Sequence, residues 1–245
     1  MDEYLAKNDD LEATFGSAPG IAGSRDEVHS GGHWRRHRGM LRPVMTAAPR
    51  QVPGHWVPVP ESMERVLQGM SAVPAAERVG RIDGVMIKTL RKHADQRGFF
   101  VEQLKRGDLD DEGRPFLPEQ PFAQTSRSLA YARGGNPPEL IKAFHWHRRQ
   151  WDYWDVVQGN ARVVLVDLRE GSPSQGRTQS LILGEHSPLV VAIPPLVAHG
   201  YQVLDLRDVV LCYYVTEPYD PADPDEGRIA WDDPRIGFDW RIENI

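Results

Sequence analysis

One cysteine stands in 245 residues, so no disulfide framework can form within the chain. That residue, Cys212, lies in the apolar run Val209-Val210-Leu211-Cys212-Tyr213-Tyr214 and reads as a small, buried strand residue. Such sparing cysteine use suits a reducing compartment, and we expect the cytoplasm. No apolar run approaches the roughly 18 residues of a membrane helix, and no export signal is expected at the start. An excess of basic charge is also missing. The net charge of -6 argues against a nucleic-acid-binding surface. Sustained helical periodicity is scarce and no internal repeat is visible, which excludes helical bundles and solenoids.

What is present divides into two compositions. Residues 1–80 mix acids, the basic run His33-Trp34-Arg35-Arg36-His37-Arg38 and prolines at 43, 49, 53, 58 and 60, which block regular structure. His29, His33 and His37 recur every four residues, but Gly31, Gly32 and Gly39 favour a loose, solvated segment over a metal-binding helix. One short helix is predicted from Glu61 to Met70. Glu61 and Glu64 sit early, where the helix dipole favours acids, and Gly69 lies near the end. From Arg81 the pattern changes to short strands between turns, near 85–90, 99–102, 122–129, 180–183, 189–193, 200–204 and 209–215, with further strands inside 142–169. A tail rich in proline and aspartate, 217–240, reads as mostly loop. We therefore expect an irregular extension over 1–80 and an all-β sandwich or barrel over 81–245.

The chemistry gathers between Lys142 and Arg169. His145 and His147 are one residue apart, so on a strand both imidazoles share a face. Asp152 follows, then the turn Gln158-Gly159-Asn160 and the apolar run 161–166. A second piece, Ile193-Pro194-Pro195-Leu196-Val197-Ala198-His199-Gly200, delivers another histidine from a turn. His145, His147, Asp152 and His199 form a candidate ligand set for Fe, Mn, Ni or Zn. The spacing resembles the two-part metal signature of the cupin superfamily, with Asp152 in its glutamate position and Leu196 where the second part has glycine. The plainer reading is a set of polar groups inside a barrel with no metal.

Other motifs narrow the resemblance. They are Asp95-x-Arg97-Gly98-Phe99-Phe100-x-Glu102, Phe122-Ala123-Gln124 with Ser126 and Ser128, Phe144-His145, and Val166-Asp167-Leu168-Arg169-x-Gly171-Ser172-Pro173. Ile193-Pro194-Pro195, Ala198-His199-Gly200, Tyr213 to Thr216, Tyr219, Pro221, Glu226, Ile229, Trp231, Asp233-Pro234 and Asp239-Trp240 complete them. In order and spacing these resemble the dTDP-4-dehydrorhamnose 3,5-epimerase family, over about Val85 to Trp240. The resemblance implies a cupin-type double-stranded β-helix, a jelly-roll barrel. It also implies a homodimer, no required cofactor, and a nucleotide-sugar substrate oxidised at C4. The ketone acidifies neighbouring C–H bonds, so a base of near-neutral pKa and an opposing acid suffice. By resemblance His145 is the base and Tyr213 the acid, and Arg97, Glu102, Gln124, Lys142, His199 and Tyr219 hold the substrate.

This chain departs from the family at chosen points. Lys142 replaces an arginine, Ser126 an asparagine, and Asp152 the pocket lysine expected near an enolate oxygen. The family's base-orienting aspartate has no counterpart by Ile245. His145 is expected to find another carboxylate, with Asp167 and Asp152 nearest by strand parity. Three readings stay open: a nucleotide-sugar epimerase or ketoisomerase, a metal-dependent cupin enzyme, and a non-catalytic carbohydrate-binding cupin. Trp146, Trp151, Tyr153 and Trp154 alternate along this stretch, and those facing outward are expected to fill a sheet-to-sheet or dimer interface.

Overall fold

A computed structural model describes residues 56–117, 122–132 and 140–242, together with the backbone of 34–37 and 40–43. The chain divides into two compact units, Met1–Val52 and Pro53–Ile245. In the first, β1 (Trp34–His37) pairs antiparallel with β2 (Met40–Pro43). Part of the expected loose segment is thus paired backbone, which satisfies its N–H and C=O groups. His29 and His33 of the four-residue repeat lie outside the described residues.

The second unit opens with α1 (Glu61–Met70), which has the predicted bounds. Strands β3 (Met86–Thr89), β4 (Lys92–Asp95), β5 (Gly98–Val101), β6 (Gln124–Ala130), β7 (Ile141–His147) and β8 (Asp152–Gln158) come next. Then follow β9 (Asn160–Asp167), β10 (Thr178–Gly184), β11 (Leu189–Ile193), β12 (Val197–Val203), β13 (Val209–Val215) and β14 (Glu226–Arg228). Two antiparallel five-stranded sheets form, in the orders β10-β9-β12-β7-β14 and β3-β11-β8-β13-β6, with β4-β5 as a separate hairpin. From β7 to β13 the chain crosses between the sheets at every step except the β9–β10 hairpin, the path of a jelly roll. The fold is a cupin barrel.

The apolar pattern explains the layers. Along β9, Ala161, Val163 and Leu165 join Trp154, Val156, Val191, Val203 and Leu211 in the core between the sheets. Val164 and Val166 point the other way and meet Phe144, Trp146 and the buried face of α1. A strand buried on both sides needs a near-continuous apolar run, and Val163 to Val166 supplies it. Met63, Val66, Leu67 and Met70 of α1 are all buried. Their burial contributes roughly 6–12 kcal/mol before chain entropy is subtracted. The packing of this unit therefore reaches well ahead of residue 81. The outward aromatics are covered within the chain, Trp146 beneath α1 and Tyr153 against Phe116 and Phe122.

Two turns hold the cavity end in shape. Gly159 joins β8 to β9 at φ 71, and an added Cβ would lie 2.8 Å from the Asp208 carbonyl oxygen. Only glycine takes this turn without strain or clash. Leu196 is left-handed at φ 61, the only non-glycine residue in that region among the described residues. It stands where the resemblance placed a glycine, and it fixes β7 by donating its N–H to the His147 carbonyl at 2.8 Å. The tail differs from expectation in one place. Its three-residue strand β14 pairs with β7, setting Glu226 opposite His147, Gly227 opposite Trp146 and Arg228 opposite His145.

Candidate active site

Strand parity brings the functional side chains to one place. His145 and His147 of β7 and His199 of β12 point inward from one sheet. Gln124 of β6, Asp152 of β8 and Tyr213 of β13 face them from the other. Together with Lys142, Gln150, Tyr219, Glu226 and Arg228 they line a cavity of about 660 Å³. Antiparallel pairing puts His199 directly opposite His145, with ring centroids 6.3 Å apart.

His145 faces Glu226, with Nδ1 and Oε1 3.1 Å apart. This corrects the expectation of an orienting Asp152 or Asp167. Asp167 is fully buried elsewhere, accepting from Arg169 Nε at 2.8 Å and from the hydroxyls of Ser172 and Ser174 at 2.6 Å each. Burial alone would raise the Asp167 pKa, but those donors outweigh it and hold it below the ordinary carboxylate value. Glu226 also takes the guanidinium of Arg228, whose face lies 3.8 Å from the Trp56 ring centroid. The His145 side chain is 33 % exposed, all at the cavity wall. Burial comes first, then Arg228, His199, His147 and Lys142, in holding its pKa well below the usual histidine value. In the tautomer with hydrogen on Nδ1, facing Glu226, the Nε2 lone pair is free.

The remaining polar groups form a second cluster. Asp152 Oδ2 lies 3.4 Å from His147 Nε2 and 3.8 Å from His199 Nε2. The Gln150 amide nitrogen is 3.2 Å from both His147 Nε2 and Asp152 Oδ2. His199 Nδ1 is 3.0 Å from the Val197 carbonyl and the Trp154 ring stands edge-on at 4.9 Å, fixing its orientation. One ligand atom each from His147, Asp152 and His199 lies within 4.8 Å of the others. The four-residue metal set expected from spacing thus separates, because β14 draws His145 away to Glu226. The three that remain have the donor types of a divalent-ion site, and their spread of up to 4.8 Å would have to close for one ion to reach all three.

Lys142 lies open to cavity water, yet the walls enclose it enough to lower its pKa, and Nζ donates to the Leu129 carbonyl at 2.9 Å. Gln124 donates to Ser126 Oγ at 2.9 Å and accepts from the Tyr219 N–H at 3.0 Å. Tyr219 itself is exposed at the rim. Arg97 and Glu102 are outside the cavity lining of this chain. On the β4–β5 hairpin Arg97 forks onto Asp95, and just beyond it Glu102 pairs with Lys105 at 2.8 Å. Sequence reasoning placed Glu226 among the motifs but gave it no role. Its only signal was the isolated Glu-Gly-Arg triplet before an apolar residue.

A jelly-roll barrel with an imidazole beside a carboxylate in its cavity defines a cupin whose site suits proton transfer. The sequence pattern of dTDP-4-dehydrorhamnose 3,5-epimerases matches residues 80–245. The spore coat polysaccharide biosynthesis protein SpsL of Bacillus subtilis is 46% identical over 162 residues, 66% of this chain and 98% of that one. A probable low-salt glycan biosynthesis epimerase, Agl13 of Haloferax volcanii, is 36% identical over 163 residues, covering 66% and 96%. Among solved structures, the Legionella pneumophila 3,5-epimerase in complex with dTDP-4-keto-L-rhamnose superposes with a TM-score of 0.54. It shares 25% identity, over 67% of this chain and 82% of that one. The chain belongs to the dTDP-4-dehydrorhamnose 3,5-epimerase family.

Proposed function

We propose that the protein epimerises a 4-keto-6-deoxyhexose carried on dTDP, at the carbons flanking the ketone. The observation that carries this reading is the pairing of two groups across one cavity. His145, tied through Nδ1 to Glu226, and Tyr213 line it from opposite sheets. In this reading His145 Nε2 takes the proton from C3 or C5 and the C–H electrons move to the C4 oxygen as an enolate. The Tyr213 hydroxyl then returns a proton on the other face. Lys142 is a cation of the same cavity wall, and Gln124, His199 and Tyr219 hold the sugar. The Legionella complex supports the substrate class, and the polysaccharide and glycan roles in the names of the other two relatives agree with it.

A homodimer belongs to the same reading. Phe99 and Phe100 on the β4–β5 hairpin are 64% and 63% exposed, on its two opposite faces, and a second copy clasping the hairpin would cover them. Arg97 and Glu102 would then be offered to the nucleotide end of the partner's cavity, which accounts for their distance from their own. The test is incubation with dTDP-4-keto-6-deoxyglucose in deuterated water, followed by NMR. The reading expects deuterium at C3 or C5; protons retained at both carbons would sink it.

A further inference from the structure

We propose that His147, Asp152 and His199, with Gln150 as a fourth ligand, bind one first-row divalent metal ion beside the base. The ion sits in the place that the family gives to a lysine.

The contacts of Asp152 with the two imidazoles are too long for hydrogen bonds. Neither imidazole makes a hydrogen bond to Asp152 among those of the described residues. The two Nε2 atoms stop 3.4 and 3.8 Å short of Oδ2, beyond the 2.7–3.2 Å expected of N–H···O. Two atoms each about 2.0–2.2 Å from one ion stand roughly 2.9–3.6 Å apart at octahedral to tetrahedral angles. The three ligand atoms spread over up to 4.8 Å, so closing them onto one ion takes side-chain movements of roughly an ångström, mostly between His147 and His199. His199 is already prepared for it. A carbonyl can only accept, so the Val197 oxygen at 3.0 Å fixes the hydrogen on Nδ1 and leaves the lone pair of Nε2 facing Asp152. Metal-bound histidines are commonly held this way.

Two further observations point to the same spot. The Gln150 amide is 3.2 Å from both His147 Nε2 and Asp152 Oδ2, and half a turn of that amide presents its oxygen as a ligand. His147 Nδ1 is buried with no hydrogen-bond partner, so hydrogen bonding alone does not explain why this ring is held here. Two imidazoles, one carboxylate and one amide oxygen suit Mn, Fe, Ni or Zn. His145 is excluded, because its ring nitrogens lie outside this three-residue group. The location also has chemical sense. An anionic Asp152 beside a developing enolate is unfavourable by itself, whereas an ion held by it restores positive charge there. That role rests on the epimerase reading; the site itself does not.

The test uses the full chain without a histidine tag, stripped by chelation and then offered Mn²⁺, Fe²⁺, Ni²⁺ or Zn²⁺ singly. Bound metal is counted by elemental analysis after gel filtration, and the melting temperature is read in parallel. We expect one equivalent per chain for at least one ion. The melting temperature should rise by roughly 5–10 °C at a hundredfold excess over Kd. Asp152→Asn and His147→Asn should each weaken binding at least by the roughly 10- to 100-fold that even outer-sphere changes cost. His145→Asn should keep its metal. A wild-type chain that takes up none of the four ions and shows no melting shift overturns the proposal, whether or not the variants fold. Equal uptake by Asp152→Asn, or loss of metal in His145→Asn, overturns the ligand set. Metal uptake without deuterium incorporation would leave this site standing and sink the epimerase reading. Deuterium incorporation by a chain that binds no metal would do the reverse.

Discussion

Replacing Glu226 by glutamine removes one negative charge from behind the base and changes little else in size. The carboxylate lies 3.1 Å from His145 Nδ1. It selects the tautomer with hydrogen on Nδ1 and stabilises the imidazolium formed when Nε2 takes a proton. A hydrogen bond to a charged group contributes roughly 1.5–3 kcal/mol, which corresponds to roughly 10- to 150-fold in rate. Glu226 acts through His145, so the loss belongs in kcat, with KM nearly constant. The pH profile supplies the second readout. His145 already has a pKa well below the usual histidine value. Removing an adjacent anion lowers it further, so the acid limb of kcat/KM must move to lower pH. The assay is steady-state epimerisation across pH, with melting temperature as the check on folding. An unchanged kcat, or an acid limb that moves upward in a folded variant, would refute the reasoning.

Tyr213→Phe should still let His145 exchange the C–H proton, so deuterium enters while net inversion falls roughly 100-fold or more; NMR of the product distinguishes the two, and unchanged inversion counts against Tyr213 as acid. Asp155 is 3% exposed and accepts from Gln103 Nε2 at 2.5 Å. Burial raises its pKa from 3.8 to about 6 despite that bond. A raised carboxyl pKa costs stability as pH climbs through this window and costs nothing below it, so Asp155→Asn should add up to about 3 kcal/mol at pH 8 and almost none at pH 3. Urea unfolding at the two pH values decides it, and equal gains at both would refute the sign. At Gly227 an added Cβ would fall 2.2 Å from the buried Trp146 ring. Gly227→Ala should therefore cost roughly 1–3 kcal/mol, displace Glu226 and lower activity with stability. Thermal unfolding and the near-ultraviolet tryptophan signal report on both.

The barrel was legible because its cause is local. Short apolar runs with period-two alternation, divided by glycine and proline turns, leave few arrangements other than paired sheets. The bounds of β11, β13 and α1 follow the sequence pattern residue for residue. The inward set His145, His147, Asp152, His199 and Tyr213 was legible for the same reason, since parity along a strand decides which side chains share a space. By contrast β14 has three residues and carries no periodic signal. Its partner strand lies about eighty positions back along the chain, so nothing local foretells it.

The sequence by itself determined the family, the jelly-roll class and the side chains that reach the cavity, because alternation and turn chemistry act between near neighbours. Tertiary structure alone decided how those side chains pair. Pairing β14 with β7 gives His145 to Glu226 and leaves His147 and His199 with Asp152. It thereby divides one apparent metal motif into a base with its carboxylate and a separate three-residue cluster. Strand register across different parts of the chain makes that choice, and register is a property of packed sheets.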